Sequence, residues 1–322
     1  MALRIVFCGT PSFAVPSLDY LREQADFEIV GVLTQPDRPR GRGQHVGRSP
    51  VKEAALAAGI PLYQPEKIRS DEAYDYFQHL GPDAVVIIAY GQIIPPRLIA
   101  IPRLGWMNLH ASLLPKYRGA APINWAIING EEVTGITTMQ IDRGLDTGPT
   151  LLKQVVEIGK DETAPELAER LAKAGAPLMA RTLREFSRGE ITPSPQDPLQ
   201  ATFAPPLKKE DGRIDWSQSA LHTYNRIRGL EPWPGAFTTF RAKQCQIWAR
   251  PAGTEDVGRA EGPGGQLPAP GTIEASPSAV LVRTGRRDAL LLEFVRMEGR
   301  KRVTAREFVN GARLLAGERF HS

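Results

Sequence analysis

The hydrophobic pattern of the first half of the chain alternates between two periods. Short apolar runs of strand length fall at Leu3–Cys8, Glu28–Leu33, Ala84–Ala89, Trp106–His110, Gly135–Ile141 and Leu151–Val156. Between them, Pro16–Gln24, Pro50–Ala58 and Asp71–Leu80 carry apolar residues at helical spacing. Ser49 before Pro50 supplies an N-cap followed by proline at the first helical position. Strand and helix in alternation predict an α/β fold with a Rossmann-like parallel sheet. Thr163–Gly189 predicts a long last helix, opened by the capping-box pair Thr163 and Glu166, with Pro177 expected to kink or interrupt it. Gly9-Thr10-Pro11 sits where a strand meets a helix, but GxGxxG and the ribose-binding acid are missing, so a dinucleotide site is disfavoured.

The pattern then changes. Residues 190–206 hold five prolines and few strong hydrophobes, the composition of a semi-rigid linker. Beyond them, Phe237–Phe240, Cys245–Ala249, Thr272–Glu274, Ala279–Val282 and Leu290–Met297 read as short strands, and Thr304 with Glu307 signals a brief helix over Ala305–Asn310. Several short strands in one stretch suggest a small barrel. The expected division is residues 1–189, a linker at 190–206 and a second domain at 207–322.

At 322 residues, 42% hydrophobic and 24% charged, the composition is that of an ordinary globular protein with room for two domains. Cys8 and Cys245 are far apart and lack metal-ligand spacing, so neither a disulfide framework nor a metal is expected. The first residues read as a strand rather than a signal peptide, and Val85–Ala89 is too short to span a bilayer. The chain is therefore expected in the cytoplasm without membrane attachment; a monomer is the expectation, although nothing in the sequence sets the oligomeric state. Its charge is uneven: residues 1–206 carry 21 Lys and Arg against 23 Asp and Glu, while residues 207–322 carry 19 against 13. A basic second domain suits a polyanionic partner, although many solvated surfaces share that bias.

Candidate chemistry gathers at the strand Trp106–His110. Alternation places Asn108 and His110 on one face, an amide donor beside an imidazole. That pair suits stabilisation of a developing oxyanion and proton traffic. Asp146 lies thirty-six residues further on, and a carboxylate there would fix the histidine's tautomer. An Asn-x-His pair alone is more often two ordinary polar residues on a half-exposed strand. A second stretch, Thr34–Lys52, has Arg38, Arg40, Arg42, Arg48 and Lys52 against the single acid Asp37, interspersed with glycines. It reads equally as a phosphate-binding loop or a solvated one. Lys116 and Arg118 beside the histidine strand, Lys208-Lys209, and Arg300-Lys301-Arg302 are further candidates for phosphate contact.

The Asn108-x-His110 pair, the run Ser112-Leu113-Leu114-Pro115-Lys116-Tyr117-Arg118-Gly119 and Asp146 match in order and spacing the formyltransferases that use 10-formyltetrahydrofolate. Gly9-Thr10-Pro11, Thr34–Pro39, Arg213–Ser217 and Pro232-Trp233-Pro234 extend that resemblance over nearly the whole chain. The resemblance implies that Asn108, His110 and Asp146 are catalytic, with Asn108 donating to the tetrahedral oxyanion and His110 stabilising it as a cation. It implies a folate pocket beside Val85–Tyr90, with Ile88, Tyr90, Ser112, Leu113, Leu114 and Pro115 as its residues. It implies that the second domain is an OB-like β-barrel and that Arg42 belongs to a loop inserted at the acceptor end of a tRNA. The implied reaction moves a formyl group to the α-amino group of methionine on initiator tRNA, for translation initiation. Sister enzymes that formylate an amino sugar nucleotide share the Ser-Leu-Leu-Pro and Pro-Trp-Pro-Gly-Ala-Phe words, but a small substrate needs neither an arginine-rich loop nor a basic domain. A non-catalytic RNA-binding protein is the alternative from another class, opposed by the intact Asn108, His110 and Asp146.

Overall fold

The structure, a computed structural model, describes residues 2–40, 45–253, 268–286 and 288–322. In chain order the elements are β1 (Leu3–Gly9), α1 (Val15–Arg22), β2 (Phe27–Leu33), β3 (Arg38–Arg40), β4 (His45–Gly47), α2 (Pro50–Ala57), β5 (Leu62–Tyr63), α3 (Asp71–Leu80), β6 (Ala84–Ile88), α4 (Pro96–Ile99), β7 (Trp106–His110), β8 (Arg118–Gly119), α5 (Pro122–Ile128), β9 (Val133–Gln140), β10 (Thr150–Glu157) and α6 (Ala164–Ser187). They continue with β11 (Phe203–Ala204), α7 (Ala220–Gly229), β12 (Phe237–Phe240), β13 (Lys243–Pro251), β14 (Ile273–Ala275), β15 (Val280–Arg283), β16 (Ala289–Met297), β17 (Val303–Thr304) and α8 (Ala305–Ala312). The chain separates into two compact units, one of Met1–Pro122, Val133–Glu157 and Glu166–Pro205, the other of Ile123–Glu132, Ile158–Pro165 and Pro206–Ser322.

The first unit is built on a seven-stranded sheet in the order β10-β9-β7-β6-β1-β2-β5. Strands β5, β2, β1, β6 and β7 run parallel, whereas β9 is antiparallel to β7, and β10 to β9. The central strands read as unbroken apolar runs because both their faces are covered: Ile5, Val6, Phe7, Ala84, Val85 and Ile88 are fully buried. Their carboxyl ends meet the turns that carry the candidate chemistry, the usual place for a ligand in an open α/β sheet. The Ser49 cap forms as the sequence predicts, its hydroxyl accepting from Lys52 N.

Helix α6 runs through Pro177 without interruption. A proline inside a helix costs about 3 kcal/mol. Burial of Leu171, Met179 and Leu183, each fully covered, offsets this at roughly 1.5–3 kcal/mol per side chain. Gly175 brings the helix close to β7: a Cβ there would lie 2.5 Å from Leu109 Cδ2.

Of residues 190–206, which read as a linker, 190–205 belong to the first unit. Thr150 and Ser194 exchange backbone hydrogen bonds, and β11 pairs with β8.

In the second unit an antiparallel sheet follows the path β12-β13-β16-β15-β14, with β17 on β16. The last residues reach both ends of that path: His321 bridges Thr239 of β12, and Arg319 bridges Thr272 just before β14. Buried Phe320 holds them there, stacked on Trp216 with ring centres 5.7 Å apart. Helix α8 keeps its capping box, Thr304 and Glu307 each satisfying the other's backbone N–H.

Candidate active site

Strand β7 places the candidate residues by register. Asn108 lies opposite Met139 and His110 opposite Thr137 on β9, and on the other side Asn108 pairs with Ile87 of β6. Met107 and Leu109 pack into the interior, with 0% and 3% exposure, which leaves Asn108 half-buried at the middle of the strand. The Asn108 amide has no hydrogen-bond partner among the described residues.

His110 is buried, and both its nitrogens face oxygen. Nε2 lies 2.9 Å from the Tyr117 carbonyl, which only accepts, so this nitrogen carries a proton and donates. Nδ1 lies 3.7 Å from Asp146 Oδ2, within ion-pair range but beyond a direct hydrogen bond. The same Oδ2 accepts from Gly119 N at 2.9 Å. Asp146 is thus fixed by a backbone donor on one side while facing the imidazole on the other. The arrangement leaves Nδ1 as the ring position open to a reacting group or a bridging water.

The backbone around this pair is strained. Ala89, Tyr117 and Asp146 adopt φ of +47°, +60° and +51°, each at a cost of about 1–3 kcal/mol for a residue with a Cβ. Ala89 and Tyr117 follow the parallel strands β6 and β7, whereas Asp146 lies in the loop after β9, which runs antiparallel to β7. Packing fixes the turn after β7. Thr137 Oγ1 donates to Ser112 O at 2.7 Å and accepts from Leu114 N at 3.1 Å, Ser112 Oγ donates to Lys116 O at 2.6 Å, and the Leu114–Pro115 bond is cis.

The other sequence candidates fall into three groups. Leu113 and Pro115 are half-exposed beside β7, while Ser112 and Leu114 are buried. The Ile88 and Tyr90 side chains are buried, at 0% and 2% exposure. The position open to a ligand beside them is the exposed Ala89 and its main chain. The physical reason is that β6 is covered on both faces up to its last residue. Burial also pushes the Tyr90 hydroxyl far above the usual tyrosine range.

Among the basic candidates, Arg38 lies exposed on β3, Arg40 is on the same strand, and Arg42 lies outside the described residues. Lys116, Lys208 and Lys209 are exposed. Arg118 is not a surface cation. It is 6% exposed, and its Nε and Nη2 donate to Gln196 Oε1 at 3.0 and 2.7 Å. At the base of the arginine-rich stretch, hydrogen bonds from Lys52 and Gln64 hold the Asp37 carboxyl below its usual range.

Gln196 and Thr202, which sequence reasoning passed over, touch this constellation directly. Gln196 Nε2 donates to Asp146 O at 2.8 Å and to Gly148 O at 2.7 Å, and Thr202 Oγ1 accepts from Tyr117 N at 2.9 Å. Their only sequence signal is polarity amid prolines.

An amide beside an imidazole–carboxylate pair, carried by a strand of a mostly parallel sheet and the loop facing it, suits acyl-type transfer. Comparison with known proteins makes that class specific. Residues 3–183 match the formyl transferase family, and residues 206–313 match the formyl transferase C-terminal domain. The chain belongs to the formyl transferase family. It is 52% identical over 318 residues to the methionyl-tRNA formyltransferase of Solibacter usitatus (strain Ellin6076), covering 98% of each chain. It is 48% identical to that of Koribacter versatilis (strain Ellin345), covering 96% of each. The fold is shared with an N-formyltransferase from Helicobacter canadensis, solved with folinic acid and dTDP-3-aminofucose, at a TM-score of 0.63 and 16% identity over 91% of this chain and 99% of that one.

Proposed function

We propose that this chain transfers the formyl group of 10-formyltetrahydrofolate to the free α-amino group of methionyl initiator tRNA. The observation that carries the reading is the 52% identity to a methionyl-tRNA formyltransferase over the full length, joined to the Asn108, His110 and Asp146 geometry.

In the reaction the neutral amine attacks the formyl carbon, a C–N bond forms, and the carbonyl electrons move onto oxygen. The unpartnered Asn108 amide donates to that oxyanion. Collapse re-forms the carbonyl and breaks the bond to N10 of the folate. The amine gives up a proton and N10 gains one; the His110–Asp146 pair, with Nδ1 open, mediates that exchange, with water as the carrier. No protein nucleophile is needed, because the amine is itself the nucleophile.

The folate binds beside the main chain of Ala89 and against Leu113 and Pro115. The arginine-rich stretch with Arg38, Arg40 and Arg42 meets the acceptor end of the tRNA, and exposed Lys116, Lys208 and Lys209 meet its phosphates. The second unit is read as an OB-like barrel, supported by the C-terminal residues that bridge both ends of its sheet. The proposed enzyme is a cytoplasmic monomer. Among the described residues no helix is long and apolar enough to cross a membrane.

The test is incubation with 10-formyltetrahydrofolate and either methionyl initiator tRNA or an amino sugar nucleotide, following tetrahydrofolate release. Release with the tRNA alone is expected. Release with the sugar nucleotide alone overturns the assignment.

A further inference from the structure

Residues 194–204 reach the catalytic constellation from outside the sheet. At one end, Ser194 and Thr150 each donate to the other's carbonyl at 2.8 Å. At the other, Thr202 O accepts from Arg118 N at 2.8 Å, while its hydroxyl takes Tyr117 N. Tyr117 is the residue whose carbonyl holds His110 Nε2. Between these anchors stands Gln196, half-buried, with every hydrogen bond of its carboxamide directed at the site.

The polarity of that amide is fully used. Its Nε2 donors go to the carbonyls of Asp146 and Gly148, and its Oε1 accepts from Arg118 through two nitrogens. No other side chain of this length offers two donors and an acceptor in one plane. The donors fall on both sides of Thr147, in the loop where Asp146 is held at φ +51°. A non-glycine residue keeps that conformation only where its surroundings over-determine it. With the donors removed, the loop is free to return to negative φ, which carries the carboxylate away from Gly119 N and His110 Nδ1.

We propose that Gln196 is a positioning residue for formyl transfer: it locks the loop of Asp146 so that the carboxylate faces His110. The kinetic part rests on the function proposed above, whereas the structural part does not.

Two variants separate its bonds. Gln196→Leu removes all of them; Gln196→Glu keeps the acceptor for Arg118 but sets carboxylate oxygen against the carbonyls of Asp146 and Gly148. Both are expected to lower kcat by about 10- to 100-fold with KM for each substrate within about twofold, because geometry rather than binding is disturbed. In an Asp146→Asn background, Gln196→Leu is expected to add less than about threefold, since it acts through Asp146. Independently of any substrate, hydrogen exchange at the Gly119 amide, which donates to Asp146, should quicken about tenfold or more in either variant. Losses that multiply with Asp146→Asn, or Gly119 protection equal to wild type in both variants, overturn the proposal. Wild-type protein inactive on methionyl initiator tRNA overturns the functional reading instead, and the exchange result still decides the role of Gln196.

Discussion

At the scale of single residues, a free amide and a held carboxylate face the same space. Asn108 has its donor unspent, and Asp146 is fixed by Gly119 N and faces His110. Loss of one oxyanion-stabilising donor typically costs about 10²–10³ in kcat, and that is the expectation for Asn108→Ala measured at saturating folate and tRNA. Asp146→Ala should fall by a similar factor. The double variant should fall by far less than the product, because the groups act as a unit. A double loss equal to the product would mean that the two serve separate steps. Strand alternation places Asn108 and His110 on one face, but it was the resemblance of the surrounding words that singled them out, together with Asp146, as candidates. Gln196 was not legible: its partners lie 48 to 78 positions away, and no local pattern encodes them.

At the scale of elements, the strands of both sheets were legible wherever apolar residues ran for four positions or more. The misses have physical causes. Strand β5 has only two residues, too few to establish a period. Helix α7 is rich in polar residues, and its clearest signal is the cap at Ser219, whose side chain accepts from His222 N. Residues 190–206 looked like a linker because prolines dominate, yet prolines leave side chains and carbonyls free to bond elsewhere, as Gln196 and Thr202 do.

Close approach at β8 gives an element-scale prediction. Gly119 has φ +123°, and a Cβ there would lie 2.6 Å from Ala204 O. Gly119→Ala should part β8 from β11 and disturb the donor to Asp146, lowering kcat about tenfold or more while folate affinity is retained. Unchanged kcat would separate this strand pair from catalysis.

The Asp37 anchor gives a pH prediction. Its folded carboxyl titrates below the ordinary value of about 3.9, through hydrogen bonds first from Lys52 and then from Gln64. Its contribution to stability is therefore fully present above that ordinary value and is lost as pH falls through the lowered one. Lys52→Met should melt at a lower temperature than wild type at neutral pH, and the difference should shrink as pH falls below about 4. A difference constant down to the most acid condition would contradict the anchor.

For the whole molecule, charge divides the work. Residues 207–322 carry the excess of Lys and Arg, and Lys208 and Lys209 stand exposed where they begin. If they act as plain phosphate ligands, as proposed, they carry no sequence information. Replacing both with alanine should lower kcat/KM for initiator and elongator methionyl-tRNA by a similar factor, and should flatten its salt dependence by about one logarithmic unit of slope for each lysine replaced. Arg42→Ala should instead shrink the ratio between the two tRNAs. An unchanged ratio would leave the arginine-rich stretch without a part in specificity.

The most direct measurement of the central claim is a single-turnover reaction of enzyme, 10-formyltetrahydrofolate and methionyl initiator tRNA, with the aminoacyl product identified by mass. Wild-type enzyme is predicted to yield tetrahydrofolate and N-formylmethionyl-tRNA in equal amounts, and Asn108→Ala the same product at a rate about 10²–10³ lower. Tetrahydrofolate release without formylmethionyl-tRNA, or an Asn108→Ala rate equal to wild type, would contradict the account.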